Sequence, residues 1–413
     1  DEDLIGDDGT THSHNPKPAT NQTNNNSHKN ITHFVTVKRS IFDQVGGFDS
    51  TCDGAQDFDL MLKLFEVCNN RVHIPKVLYH WRASESSTSI NHGQKSYANE
   101  AGRLALDKAL ARRKLPYSAE NTDLNFFYKL RSSPKKARYT ALIWAVNEHS
   151  LTHSFVTSFI QGCGAQVVDV VVFFSEDLAD RSCLPDVGAT EHWKIIAVAG
   201  DKSKAQIIQR QIADIDTEFV VLLGGGIQKL HRNWLMELSG MVSLPDVAIV
   251  CGRTSYAAGD GRSYLLADTT NDSAAYLHEF LCCSTKHMTG LHCIQDTGYA
   301  GWDISLIVKE VFKDFGGFSV DEFPDLFAMA ELSLRLRDAG KRIVYTPYAV
   351  ADMEREPRCL CSMESGILQE EKRRFQKCLK ERADGGILYY NRGLLGDNMI
   401  DEAGFVQWLH GEW

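Results

Sequence analysis

Apolar residues recur three and four apart between residues 57 and 67, where Phe58, Leu60, Met61, Leu64 and Phe65 would share one face of a helix. A helix is predicted there. Just before it, residues 41–45 read as a helical turn stopped by Gly46-Gly47, and Phe34-Val35-Thr36-Val37 reads as a short strand. Residues 71–81 are extended, and a long charged helix follows over residues 96–114. By contrast, residues 10–33 are rich in Thr, His and Asn, with Asn24, Asn25 and Asn26 in a row and no hydrophobic period. That composition predicts a polar loop and no core element.

A linker containing Ser132-Ser133-Pro134 closes this first part. Beyond it come apolar strands at residues 139–146 and 167–174, a helix at 204–215 and a strand at 218–223. Strands alternating with helices predict an α/β fold with an open, mostly parallel sheet. The expected organisation is a first domain at 1–130, a linker at 131–138 and a second domain at 139–413.

The chain also repeats itself. Phe42-Asp43-Gln44-Val45-Gly46-Gly47-Phe48 returns 270 residues later as Phe312-Lys313-Asp314-Phe315-Gly316-Gly317-Phe318. Asp59-Leu60-Met61-Leu62-Lys63-Leu64 then matches Glu331-Leu332-Ser333-Leu334-Arg335-Leu336 at an offset of 272, as Ile74-Pro75 matches Thr346-Pro347. Both halves are therefore expected to share one architecture, and a site proposed in one can be tested in the other.

With 413 residues and 43% apolar content, two compact domains are affordable. A net charge of −10 argues against a general nucleic-acid binder. The basic exception runs from Lys108 through Arg112, Arg113 and Lys114 to Arg131, Lys135, Lys136 and Arg138. It suits a solvated helix end and linker better than an anionic membrane surface or a lipid diphosphate. Eleven scattered cysteines, with Cys282-Cys283 and Cys359-x-Cys361 too close for a zinc site, fit reduced thiols in a cytoplasmic protein. No apolar run approaches the roughly 20 residues of a membrane span.

The candidate chemistry starts at Asp1-Glu2-Asp3. Asp1 and Asp3, one residue apart, have the spacing of a hard-cation site that would neutralise a diphosphate, although acidic triplets are usually solvated loops. Asp57 opens the predicted helix as a general base or as an ordinary N-cap. His80, beside Trp81, is a metal ligand or a buried hydrogen-bonded histidine. Arg82 is a candidate phosphate contact.

Taken in order, Asp1-Glu2-Asp3, Lys17-Pro18, Thr32-His33, the Gly-Gly-Phe segment, Gly54-Ala55-Gln56-Asp57-Phe58-Asp59-Leu60 and Tyr79-His80-Trp81-Arg82 resemble the second half of bacterial family 2 glycosyltransferases of the GT-A fold. The likeness continues through Asn233-Trp234-Leu235 and Gly316-Gly317-Phe318 to Tyr389-Tyr390-Asn391. Such enzymes build O-antigen and related surface polysaccharides, often as tandem domains. The resemblance implies Mg²⁺ or Mn²⁺ at Asp1 and Asp3, with His80 closing the metal site and Arg82 near the diphosphate. Asp57 would be the base of an inverting displacement, and Asp59 structural or acceptor-binding. Its implied partners are a nucleotide-sugar donor and a glycan or lipid-linked glycan acceptor. The location would be cytoplasmic, with peripheral association at the inner membrane face or with other transferases left open. It further implies one partial GT-A copy, lacking the strands ahead of Asp1, and one complete copy.

The second half departs from the pattern. Gly224-Gly225-Gly226 stands where an acidic metal motif is expected, Met329 stands at the position of Asp57, Asp352 at that of His80, and Phe173 where a nucleotide-contacting Asp is usual. A phosphate-cradling P-loop fails as well, because Ile227-Gln228 replaces Lys-Ser/Thr. A catalytically degenerate second domain is expected. The alternative reading is a non-catalytic scaffold or glycan-binding module; a nucleotidyltransferase, the third, lacks a basic nucleotide-binding signature.

Overall fold

The computed structural model describes residues 2–6, 9–15, 22–32, 34–74, 76–82, 95–132, 137–145, 151–166, 168–176, 192–199, 203–257, 263–267, 292–325, 327–353, 370–371, 373–375, 377–378 and 381. The chain divides into two compact units, the first holding the residues up to 132 with His292–Asp296, the second those from 137 to 267 and from Thr297 onward. Arg131 and Ser132, assigned above to a linker, complete a strand instead.

In the first unit, β1 (Glu2–Ile5) lies between β2 (Thr11–Asn15), antiparallel to it, and β3 (Tyr79–Arg82), parallel to it. Helices α1 (Gln22–Asn25), α2 (Arg39–Gln44), α3 (Gln56–Val67) and α4 (Lys95–Arg112) and the hairpin β4 (Tyr117–Asn121) to β5 (Tyr128–Ser132) complete it. The predicted period is what α3 buries: Leu60, Met61 and Leu64 pack on Ile31, Val37, Ile41, Phe42 and Val45, while Phe58 stacks on Tyr128. Helix α4 buries Ala105, Leu106, Ala109 and Leu110 in the same manner.

Two expectations need correction. Residues 34–37 form no strand; Phe34 is exposed and stacks on Tyr79, and Val37 is spent on the α2–α3 cluster instead of on a sheet. Nor are residues 10–33 merely a polar loop. They contribute β2 and α1, and Thr23, Asn24, Asn25, Asn26 and Ser27 are buried. Burial of Thr23, Asn26 and Ser27 is tolerated because they are partnered. Thr23 donates to Asp296 Oδ1 at 2.8 Å, Ser27 to the Ile294 carbonyl at 2.9 Å, Arg113 to Asn26 Oδ1 at 2.9 Å, and the Ser27 carbonyl accepts from Tyr128 N at 2.7 Å. All four of these partners lie more than 80 residues away, out of reach of a local pattern.

The second unit is an α/β domain built on one long sheet. Its elements run β6 (Tyr139–Trp144), α5 (His153–Cys163), β7 (Val168–Ser175), β8 (Trp193–Val198), α6 (Lys204–Asp214), β9 (Phe219–Gly224), β10 (Ile227–Leu230), α7 (Trp234–Met241), β11 (Val247–Ala257), β12 (Ser263–Ala267), β13 (Ile304–Val308), α8 (Lys309–Asp314), α9 (Ala328–Asp338) and β14 (Arg342–Met353). The strand order is β10-β14-β11-β13-β9-β6-β7-β8, and β12 pairs with β11. Strands β8, β7, β6 and β9 are mutually parallel, as are β11 and β14; β13 is antiparallel to both its neighbours, and β10 to β14. Every residue of β9 is buried, the continuous apolar run expected of a strand covered on both faces.

The internal repeat is structural. Helices α2 and α8 each have six residues and end on two glycines in the left-handed region, Gly46 and Gly47 (φ 79° and 63°) and Gly316 and Gly317 (φ 77° and 68°). In each, the second glycine donates back to the phenylalanine carbonyl five residues earlier, Gly47 to Phe42 at 3.1 Å and Gly317 to Phe312 at 2.8 Å. The phenylalanine ring then packs edge-on against the one that follows the glycines, Phe42 on Phe48 and Phe312 on Phe318. Among the described residues no helix is long and apolar enough to cross a membrane.

Candidate active site

The parallel pairing of β1 with β3 places Asp3 opposite His80 and Ile5 opposite Arg82. His80 Nδ1 lies 2.5 Å from Asp3 Oδ1. An ionised carboxylate only accepts, so the hydrogen sits on Nδ1, and in the neutral ring Nε2 carries the lone pair. Asp3 is largely sheltered, its side chain 13% exposed, whereas His80 is 54% exposed. Arg82, two positions on, shares His80's face of the strand and is also exposed. His80 is therefore no buried histidine. Asp1 lies outside the described residues.

Glu2 alternates to the other face and is buried, its carboxylate 2.7 and 2.8 Å from the hydroxyl of Thr32. Of the two described acids in the triplet, one anchors the strand and the other, itself sheltered, bonds to the exposed His80.

Asp57 is the second residue of α3 and not its N-cap, which is Ala55. Its Oδ1 accepts from Phe58 N at 2.9 Å, satisfying one first-turn amide. Its Oδ2 is ion-paired with Lys29, and the side chain remains 51% exposed. Lys29 and Thr32 are three residues apart, a span of at most about 10 Å of chain. That short segment grips Asp57 with one residue and Glu2, next to Asp3, with another. Sequence reasoning had no signal for Lys29; Thr32 was visible only as part of the Thr32-His33 motif.

Asp59 resolves as structural. It is wholly buried, with Lys63 Nζ 2.6 Å away and Arg112 at 3.7 Å, and Lys63 also donates to the Gly47 carbonyl at 3.2 Å. The second unit repeats this tie. Glu331 pairs with Arg335 at 2.6 Å, and Arg335 donates to the Phe315 and Gly317 carbonyls, both at 2.6 Å.

Asp49, Cys52 and Asp59 offer three ligand atoms within 4.8 Å of one another. Cations of the chain already match that cluster. The Lys108 ammonium, with Thr51, holds the Asp49 carboxyl well below the usual range, and Lys63 and Arg112 neutralise Asp59. Burial, then the charge of Asp59, pushes the Cys52 thiol up and away from the thiolate a metal would need. Among the described residues of the basic stretch, Arg112 pairs with Glu66, Arg131 with Glu120 and Arg138 with Asp169.

At the corresponding positions of the second unit, Met329 is fully buried, Phe173 is buried in β7, and Asp352 meets His231 Nε2 at 3.0 Å.

No family model matches the chain. It is 26% identical over 362 residues to the uncharacterized protein y4gI of Sinorhizobium fredii, covering 84% of this chain and 39% of that protein. To the O-antigen biosynthesis protein RfbC of Myxococcus xanthus it is 25% identical over 344 residues, covering 76% of this chain and 25% of the relative. The chain thus spans well under half the length of either. Among solved structures, GalNAc-T7 with UDP, GalNAc and Mn²⁺ superposes with a TM-score of 0.41 at 10% identity, over 59% of this chain and 48% of that one.

Proposed function

We propose that the first unit carries the metal-binding and proton-accepting side of a GT-A-type glycosyltransferase. The reaction would move a sugar from a nucleotide-diphosphate donor to a hydroxyl of a growing glycan in surface polysaccharide biosynthesis. The observation that carries this reading is the Asp3–His80 pair on adjacent parallel strands, opening onto the surface beside Arg82. A carboxylate oxygen and an imidazole nitrogen suit Mn²⁺ and, through the carboxylate, Mg²⁺. Asp3 and His80 would hold that ion with Asp1, and the ion would supply charge neutralisation to the leaving diphosphate.

The protein's own groups divide the remaining work. The Nδ1–H bond of His80 to Asp3 would open as the ion enters, so that imidazole and carboxylate both face it. Arg82 is placed to bind phosphate oxygens. Asp57, half exposed at the start of α3, accepts the proton of the acceptor hydroxyl as the new bond to the anomeric carbon forms, in a single inverting displacement. Lys29 and the Phe58 amide fix the direction of that carboxylate. The similarity to the Myxococcus O-antigen biosynthesis protein agrees with a polysaccharide acceptor, and a cytoplasmic location goes with the reading.

A second reading, a non-catalytic glycan-binding scaffold, is favoured for the second unit by Met329, which puts a fully buried thioether where the first unit has Asp57. The test of the first reading is turnover of a panel of nucleotide sugars by the full-length protein with Mg²⁺ or Mn²⁺. Asp57→Asn is expected to lower turnover by about 100-fold or more with folding intact. Full activity in that variant removes Asp57 from the role, and no metal-dependent turnover of any donor leaves the scaffold reading standing.

A further inference from the structure

In the second unit the chain order reverses between β6 and β9, the position in an open α/β sheet where ligands lodge beyond the carboxyl ends of the strands. The residues there form a distinct group. Trp144 ends β6 and lies in register with Gly224, which ends β9. Trp302 and Asp303 immediately precede β13, whose first residue pairs with Leu223. Lys204 opens α6, its Nζ 4.5 Å from the Trp302 ring centroid and 5.6 Å from that of Trp144.

Several contacts hold the group in place. Gly224 N donates to the Asp303 carbonyl at 2.9 Å, and a Cβ at position 224 would land on Asp303 Oδ1. The missing side chain is what lets the Asp303 carboxylate lie there. Ser203 caps α6 and donates to the Pro324 carbonyl, which also accepts from Ala205 N at 3.0 Å, so Asp325 is set beside the helix start. The Asp325 amide is in turn held by the buried Glu371 at 2.6 Å.

The charges narrow the choice of ligand. Two carboxyl groups and one ammonium leave the group leaning negative, which opposes a diphosphate. The ammonium of Lys204 is a built-in cation, which opposes a divalent metal. What remains suitable is an uncharged polyol: its C–H face covers the half-buried indole of Trp144, and its hydroxyls donate to the carboxyls and accept from the ammonium.

We propose that this crevice is a metal-independent carbohydrate site, with Trp144 as its platform and Lys204, Asp303 and Asp325 as its hydrogen-bonding edge. Burial holds the carboxyl of Asp303 above its ordinary range, with Lys204 drawing it back down, a balance suited to hydroxyl partners. The proposal rests on the glycan-binding reading of the second unit and is independent of transfer by the first.

The experiment follows the tryptophan indole N–H signals of the whole chain by NMR during titration with neutral glucose, galactose and mannose disaccharides in EDTA. A saturable shift of the signal that disappears in Trp144→Phe is expected. The exposed Asp325→Asn should weaken binding about tenfold without altering the melting temperature, and Asp57→Asn should leave it unchanged. Absence of any saturable response, or a response indifferent to Trp144→Phe and Asp325→Asn, overturns the proposal. So does a response at Trp144 obtained with UDP only when Mg²⁺ is present. Because Asp57→Asn bears on the first unit alone, failure here is distinguishable from failure of the transferase reading.

Discussion

Replacing Asp59 by Asn separates two acids that sit two residues apart at the start of α3 and do different work. Asp59 has no exposed side-chain surface, and Asp57 is half exposed. In Asp59→Asn the Lys63 ammonium, only 15% exposed, keeps the Gly47 carbonyl but loses its carboxylate at 2.6 Å. Breaking a buried pair from one side costs about 3–5 kcal/mol. Arg112 is a third exposed and is also paired with Glu66, so it recovers part of its loss through water, and about 3 kcal/mol is the expected net cost. Hydrogen exchange at the α3 amides reads this directly, because 3 kcal/mol corresponds to on the order of 100-fold less protection. Asp57→Asn breaks a surface pair and should cost less than about 1 kcal/mol. Native-like protection in Asp59→Asn, or an equal loss in Asp57→Asn, would refute the division of labour.

The repeated glycine turn gives a paired test: Gly47→Ala and Gly317→Ala each force a left-handed alanine, about 1–2 kcal/mol, onto a phenylalanine ring 2.9 Å away, and both should lower the urea midpoint. Unchanged midpoints would contradict the positive-φ geometry. Burial pushes the Cys163 thiol up to about 12, so at pH 8 about one thiol in ten thousand is ionised. Iodoacetamide should label Cys163 in urea and hardly at all in the native protein, and rapid native labelling would count against the burial. Burial also raises the Asp303 carboxyl above its unfolded value, so its proton stabilises the fold below about pH 4 and that contribution is lost as pH rises through the folded pKa. Melting temperatures of wild type should therefore fall relative to Asp303→Asn as pH rises from about 4, and parallel curves would argue against a buried carboxyl.

Much of the scaffold could be read from the sequence because its signals are local. The 57–67 period became α3 with one residue added, residues 204–215 became α6, and the Gly-Gly stops ended both short helices. The failures were long-range. Asn24, Asn25 and Asn26 look like solvent-facing residues until Arg113 and Tyr128 are brought to the same segment. Phe34-Val35-Thr36-Val37 alternates like a strand, but alternation cannot supply a neighbouring strand to pair with. For the candidate site, the spacing in Asp1-Glu2-Asp3 pointed to β1, yet only the register of β1 with β3 pairs Asp3 with His80. Lys29 was invisible because a lone lysine in a polar stretch has no pattern.

The two copies of the repeat also allow structural and site residues to be sorted without any other sequence. Both keep the six-residue helix, the paired left-handed glycines, the edge-on phenylalanines, and a helix acid whose cation four residues on reaches the glycine turn. Sharing across copies with different surfaces is what a folding requirement produces: the last carbonyls of a short helix need donors, and a buried lysine or arginine needs a carboxylate to be tolerated there. The differences fall elsewhere. Half-exposed Asp57 is replaced by buried Met329, and the acidic start of β1 by glycines that admit Asp303. Packing cannot explain a half-exposed carboxylate held by Lys29, since solvent would satisfy it without help. The features that one copy keeps and the other has lost therefore support the proposal that Asp3, Asp57 and His80 serve the site, while the shared, buried ion pair of Asp59 serves the fold.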